Sequence, residues 1–256
     1  MKNSSYKSSF NHRAYNFSDI FEKALELYKK IFANAGLAFL LYGIIQGLVS
    51  SSIQLAFYGF SMFTQDAVGL DLSNISLELQ LGASLSNAVL AGLTTPMIAS
   101  IYLMCKYYYE NQRQPPLNVF ECYNPPYFKK IFFYGFSFTF FLELLLILTR
   151  LLNLEYLGIA LAILISFFTI LMVPILVLKN LSILDSLALC FKMTTHQPFT
   201  LLLLIVVSAL FAIVGFVGFC IGIIFTIPMF YIVMFCVYEH QFPIKTAHEI
   251  DEIGRE

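Results

Sequence analysis

Hydrophobic residues fall in six long runs separated by shorter polar segments. The runs cover Asn34–Phe60, Ala83–Cys105, Ile131–Thr149, Tyr156–Leu178, Phe199–Phe216 and Phe219–Tyr238. At ~1.5 Å per helical residue, about 20 residues cross the ~30 Å hydrocarbon core of a bilayer. The pattern predicts an all-α polytopic membrane protein, a bundle of six transmembrane helices. A second pattern precedes the first, third and fifth runs. Ile20, Phe21, Ala24, Leu25, Tyr28, Ile31 and Phe32 recur at helical spacing, with Glu22, Lys23, Glu26, Lys29 and Lys30 between them. This predicts an amphipathic helix over Phe17–Phe32, lying along the membrane surface, with Ser18 as N-cap and Asp19 in its first turn.

Ile20-Phe21-Glu22 is echoed by Val119-Phe120-Glu121 and Ile183-Leu184-Asp185, and lysine follows each acid seven or eight residues later, at Lys29, Lys129 and Lys192. Three cytoplasmic surface helices are therefore expected. The returning span of each pair carries a proline, Pro96, Pro174 or Pro228, and Thr94-Thr95-Pro96-Met97 is similar to Thr226-Ile227-Pro228-Met229. The expected organisation is a mobile cytoplasmic N-terminus over 1–16, a transmembrane domain over 17–240 and a cytoplasmic tail over 241–256. The middle part reads as a threefold repeat of surface helix plus hairpin, each copy needing its neighbours to bury its apolar face.

Composition agrees. Hydrophobic residues make up 59% of the chain and charged residues 12%, against about 25% charged in soluble domains. Fourteen of the 15 lysines and arginines fall on one side of the six spans, and Arg150 alone falls on the other. The positive-inside rule then puts both termini in the cytoplasm and the chain in the cytoplasmic (inner) membrane. The longest external segment, Ser61–Leu81, holds Asp66, Asp71 and Glu78 and no basic residue. The start of the chain lacks the basic-then-apolar order of a cleavable signal, so the first span is expected to act as an uncleaved anchor. A net charge of −1 gives no footing for nucleic acid. The five cysteines form no C-x-x-C pair and read as small packed hydrophobes.

These pieces carry a resemblance. The leading Phe17–Phe32 helix, Thr95-Pro96, the segment Asn118-Val119-Phe120, the stretch Leu181–Phe191, and Gly218, Gly222, Pro228 and Tyr238 stand in an order that resembles a broad group of bacterial six-helix membrane proteins. That group includes the membrane domain of some glycerophosphodiester phosphodiesterases and uncharacterised inner-membrane proteins. It carries a glycine shortly after the first proline, where this chain has Ala99 and Ser100. The resemblance implies an architecture and no activity, since no phosphodiesterase domain is attached.

The sharpest chemical feature is Glu143, an acid inside the third run. A carboxylate at mid-span costs ~2.5–3.5 kcal/mol on insertion scales and faces protein or water. Arg150 follows two turns later. Gln46, Ser50 and Gln54 form a polar stripe on the first span, and Asn87 and Thr94 lie on the second. Together these predict a polar intramembrane cavity open to the outer side, read either as a substrate or proton site or as a hydrogen-bond network holding helices together. Gly43-x-x-x-Gly47-x-x-x-Ser51 predicts close helix contact, within the bundle or along a dimer seam. Lys29, Lys30, Lys129, Lys130 and Lys192 are the expected lipid-headgroup contacts.

His12, His196, His240 and His248 share no helical spacing, and no metal site, cofactor motif, nucleophile motif or catalytic constellation is legible. The functional expectation is an integral membrane protein, not an enzyme, that organises or assists a lipid or protein process. Its partners are membrane lipids and a protein partner or second copy. The alternative is a small transporter or permease working through the Glu143 cavity.

Overall fold

A computed structural model of the chain describes residues 14–58, 77–111, 113, 119–217 and 221–244. Among the described residues there is no strand, and eight α-helices follow one another. They are α1 (Phe17–Tyr58), α2 (Leu77–Asn111), α3 (Phe128–Leu151), α4 (Glu155–Thr169), α5 (Met172–Lys179), α6 (Ile183–His196), α7 (Pro198–Val217) and α8 (Ile221–Gln241). Among the described residues, four stretches are long and apolar enough to cross a membrane: Phe17–Ile53, Gln80–Asn111, Phe128–Leu151 and Glu155–Lys179. The pair α6–α7, bent by 93°, makes a fifth if taken as one span. Helices of this length and apolarity mark a multi-pass membrane protein.

The helices pack in a curved row. α4 lies on α3, α3 on α2, α2 on α1, α1 on α8, and α8 on α7. α5 fills the space beside α2, α3 and α8, while α6 joins α4, α5 and α7. The two ends of the row, α4 and α7, make no extended contact with each other, so the bundle is a horseshoe rather than a closed ring.

The surface helix expected over Phe17–Phe32 is not a separate element. It runs straight on into the first span as α1, one helix of 42 residues. No proline interrupts it, and Ala33-Asn34-Ala35-Gly36 is too weak a breaker to end a helix that is packed on both sides of it. Ile20, Ala24, Leu27, Ile31, Ala35 and Ala38 form one seam, all buried in the protein core. Ile20, Ala24 and Ile31 of the apolar stripe that suggested a lipid surface thus pack on protein, while Phe32 stays exposed.

The second expected surface helix is also absent. The Val119–Glu121 motif leads only into a 3-10 turn, Glu121–Tyr123. Pro125-Pro126 follows at once, and two prolines remove two donors and push the preceding residue out of the helical region. Ile183–His196 does form a helix of its own, capped by Ser182, whose side chain accepts from the Asp185 backbone N–H at 3.2 Å. The first and third motif positions are thus helical, one inside a longer helix and one at the start of its own, while the second is a turn.

Pro96 and Pro228 sit inside α2 and α8 without ending them. Pro174 coincides with a break, because it offers no N–H to the Ile170 carbonyl and its ring crowds that carbonyl. The chain turns at Ile170–Leu171 and restarts as α5. Just before this break the Cys190 thiol donates to the Phe168 carbonyl at 3.2 Å.

Close helix contact occurs at glycines other than the expected pair. Around Gly43 and Gly47 nothing lies within 4 Å of where a Cβ would stand. A Cβ at Gly135 would instead meet Thr95 Oγ1 at 2.5 Å and the Ala91 carbonyl at 3.0 Å, and one at Gly92 would meet the Phe132 carbonyl at 3.0 Å. Gly158 lies as closely against Thr149 and sets the α3–α4 turn. Cys105, Cys122, Cys190 and Cys236 are buried free thiols, and Cys220 lies outside the described residues.

Gly135→Ala should therefore separate α2 from α3 and lower stability by about 1–3 kcal/mol, the usual cost of overpacking. Thermal unfolding of the solubilised protein should show a lower Tm for Gly135→Ala and partial recovery when Thr95→Ala is added. An unchanged Tm for the single variant would contradict the contact.

Candidate functional site

The polar residues expected to share one cavity are divided among three places. Glu143 on α3 is half-buried, and its Oε1 accepts a hydrogen bond from Asn87 Nδ2 on α2 at 3.1 Å. The closeness of these helices at Gly92 and Gly135 brings the two side chains together. Arg150 does not lean back toward Glu143. Its Nε lies 3.9 Å from Glu155 Oε1 across the α3–α4 turn, where both groups stay partly in solvent. Thr94 turns its hydroxyl to the Leu90 carbonyl at 2.8 Å, with the Tyr42 hydroxyl of α1 as a neighbour. Gln46 and Ser50 sit half-buried on α1, the former with a buried Oε1 that makes no hydrogen bond. The Gln54 side chain lies outside the described residues. α1 and α3 make no extended contact, since α2 stands between them. Chemically, Glu143 and Asn87 form a helix-to-helix hydrogen bond with one neutral donor.

The lysine-bearing helix ends, by contrast, meet at one end of the bundle. Lys23 Nζ on α1 lies 2.6 Å from Glu239 Oε2 on α8, and the Glu239 side chain is only 6% exposed. Lys23 also stands over the Tyr109 ring of α2 at 4.8 Å, within cation–π range. Tyr109 in turn meets the Phe235 ring edge-on at 6.2 Å. Three helices are tied by one cation. Beside this knot opens a cleft of about 550 Å³ between α1 and the end of α2, lined by Lys23, Glu26, Leu27, Lys29, Lys30, Tyr108 and Tyr109. Lys29 and Lys30 are exposed. The cleft is a basic pocket with aromatic walls, and Glu26 is the one acid among its described lining residues.

The remaining expected headgroup lysines lie elsewhere. Lys130 is engaged at the protein surface, donating to the Asn180 carbonyl at 3.0 Å and to Asn180 Oδ1 at 2.7 Å. Asn180 is in the left-handed conformation, φ 52°, at the C-terminus of α5, where a cation complements the helix dipole. Lys129 and Lys192 are exposed, on α3 and α6. At the same end, Lys179 stands over the Phe242 ring.

Residues 14–16 are held rather than free. The Tyr15 N–H donates to Gln197 Oε1 at 2.6 Å and its hydroxyl to the Met193 carbonyl at 3.2 Å. Its ring lies between His196 and His240, at 5.9 and 6.1 Å, and His240 Nε2 is 3.0 Å from the Ala14 carbonyl. Burial pushes the Tyr15 phenol above its usual range, so it stays a donor. Gln241 and Phe242, assigned to the tail, are buried. Burial and the neighbouring Glu121 push the Cys122 thiol up to about 12, which leaves it a packing group with little thiolate.

Sequence reasoning found Lys29, Lys30 and the Asn87–Glu143 neighbourhood. It missed Glu239 and the roles of Tyr109 and Tyr15. One signal was available: Glu239 directly follows an apolar run in which an acid is costly unless paired. Compared with known proteins, the chain matches no family model, no curated protein and no solved structure.

Lys23→Met leaves Glu239 buried without its cation, whereas Glu239→Gln leaves a half-exposed lysine that water can solvate. Breaking a fully buried pair costs ~3–5 kcal/mol. Since Lys23 is 38% exposed, the expected loss for Lys23→Met is nearer 1–2 kcal/mol, roughly, after solvent screening. It should exceed the loss in Glu239→Gln when both are unfolded by denaturant in the same micelle, and the reverse order would contradict the burial of Glu239.

Proposed function

We propose that this chain is a non-enzymatic integral membrane protein that organises or assists a lipid or protein process, and that it does so by holding an anionic lipid headgroup at its basic end. The observation that carries this reading is the cleft beside Lys23, with Lys29 and Lys30 exposed and Tyr108 and Tyr109 as its walls. Anionic lipid attracts interfacial lysine by about 1 kcal/mol per charge, and tyrosine suits the boundary between headgroup and hydrocarbon. Six spans, with both termini at the cytoplasmic face of the inner membrane, form the topology that goes with it. In its support, the described lysine-bearing helix ends gather at one end through Lys23–Glu239, Lys130–Asn180 and Lys179–Phe242, and Arg150 lies about 30 Å along α3 from Lys130 at ~1.5 Å per residue.

In this topology α6 lies in the interface. It stands at 93° to α7 and turns Leu184, Leu187 and Phe191 outward, an apolar face that the acyl boundary covers. The resemblance to bacterial six-helix membrane proteins rests on the sequence pieces alone. A protein partner or a second copy would dock at the same basic end. Transport through a Glu143 cavity has less support, because Asn87 already holds Glu143 and Arg150 faces Glu155.

Two measurements test this. Native mass spectrometry of the full chain with phosphatidylglycerol and phosphatidylcholine should show a preference for the anionic lipid. Lys29→Gln with Lys30→Gln should reduce that preference by about five- to thirtyfold, the upper bound from two charges; an unchanged preference removes the cleft reading. Separately, a compartment-sensitive reporter fused after Asp71 should report the outside and one after Arg113 the cytoplasm. Inverted signals would overturn the orientation.

A further inference from the structure

The open side of the horseshoe is a groove of about 820 Å³ between α4 and α7, backed by Phe230 of α8. Ala160, Ile163 and Phe167 form one wall, Phe199 and Leu202 the other, and among the described lining residues Ser166 is the only one with a polar side chain. Phe199 is 85% exposed and Ile163 66%. A void of this size forfeits dispersion contacts along both walls unless something fills it, and its walls offer almost no partner for water.

The groove is built, not a casual gap. α6 is wedged across its basic end. It holds α4 through the Cys190 thiol on the Phe168 carbonyl at 3.2 Å and through the Phe168–Phe191 ring contact at 5.1 Å. It then bends by 93° into Pro198 of α7. The bend is pinned by Tyr15, whose N–H and hydroxyl bond Gln197 and the Met193 carbonyl. α4 and α7 are thus held apart by a cross-piece, and Lys192, one residue beyond Phe191, stands exposed at that end.

We propose that this groove is a binding site for one bilayer phospholipid, its acyl chain lying between α4 and α7 and its phosphate at the Lys192 end. The occupant follows from the place and the chemistry. In the topology proposed above, the groove opens sideways between two spans and faces the hydrocarbon. Its wall is apolar, and the cation at its basic end complements a phosphate. The site is distinct from the Lys29–Lys30 cleft and does not depend on it.

The test uses the full chain in mild detergent, with phosphatidylglycerol carrying palmitoyl and oleoyl chains as the probe. Native mass spectrometry should show one retained phospholipid on the wild type beyond any held at the Lys29–Lys30 cleft. Ala162→Phe, which fills the groove, should cut that occupancy about tenfold through overpacking, while Leu210→Phe, on exposed α7 outside the groove, keeps it. The adduct should survive Lys29→Gln with Lys30→Gln, so loss of the cleft reading would leave this one standing. Equal occupancy in Ala162→Phe and Leu210→Phe would reduce the lipid to an annular one and overturn the site. Retention of added oleic acid in place of phospholipid would overturn it too.

A second readout does not depend on how well Ala162→Phe folds. The chain has no tryptophan, so Phe230→Trp at the back of the groove and Ile213→Trp on lipid-facing α7 each create a sole fluorophore. With phosphatidylglycerol brominated on its acyl chains, the Trp at 230 should be half-quenched at a several-fold lower lipid-to-protein ratio than the Trp at 213. Coincident quenching curves would overturn the proposal.

Discussion

The ion pair between Lys23 and Glu239 is the constraint around which the rest of the bundle is arranged. A carboxylate at the end of α8 is 6% exposed, and burying a charge there is costly without a cation beside it. α1 supplies one only if its basic stretch enters the protein instead of resting on the bilayer. That requirement explains why Ile20, Ala24, Leu27 and Ile31 are core residues, and why Tyr109 of α2 lies under the same ammonium. α1, α2 and α8 are thereby fixed to one another at one end.

The other basic residues at this end do related work. Lys130 closes the C-terminus of α5 through Asn180, and Lys179 rests on Phe242. The bias that orients a membrane protein is also used here to fasten helix ends that have no loop in common. Lysines can serve both needs because their long apolar stems pack while the ammonium group reaches a polar partner. Lys29 and Lys30 are the members of the set that face outward at the cleft.

Much of this was legible in the chain. The apolar runs are visible because hydropathy depends on residue type alone, and α3, α7 and the α4–α5 pair follow them closely. Asn87 and Glu143 were identified as neighbours because a polar residue in a span has few places to go. Amphipathic periodicity was less informative. It shows that Phe17–Phe32 has an apolar face but not whether lipid or protein covers it, and at Val119 it was overruled by Pro125-Pro126 six residues on. Small-residue spacing did not mark the close contacts within the chain: nothing lies within 4 Å of where a Cβ would stand at Gly43 and Gly47, whereas Gly135 and Gly158 belong to no pattern and admit no side chain. Arg150 took Glu155 because the turn after α3 brings that acid round to it. The pairing of Glu239 with Lys23 spans almost the whole chain, and no local period reports it.

The continuity of α1 has a mechanical consequence. A helix of 42 residues is about 63 Å long at ~1.5 Å per residue, roughly twice the hydrocarbon thickness. It has no joint between the part clamped at Lys23 and the far half that carries Gly43 and Gly47. Such a rod fits a ~30 Å layer only by tilting or by projecting from it. Its angle is therefore a single coordinate shared by both leaflets, and a change in bilayer thickness acts on the clamped end as a torque with the whole helix as its lever arm.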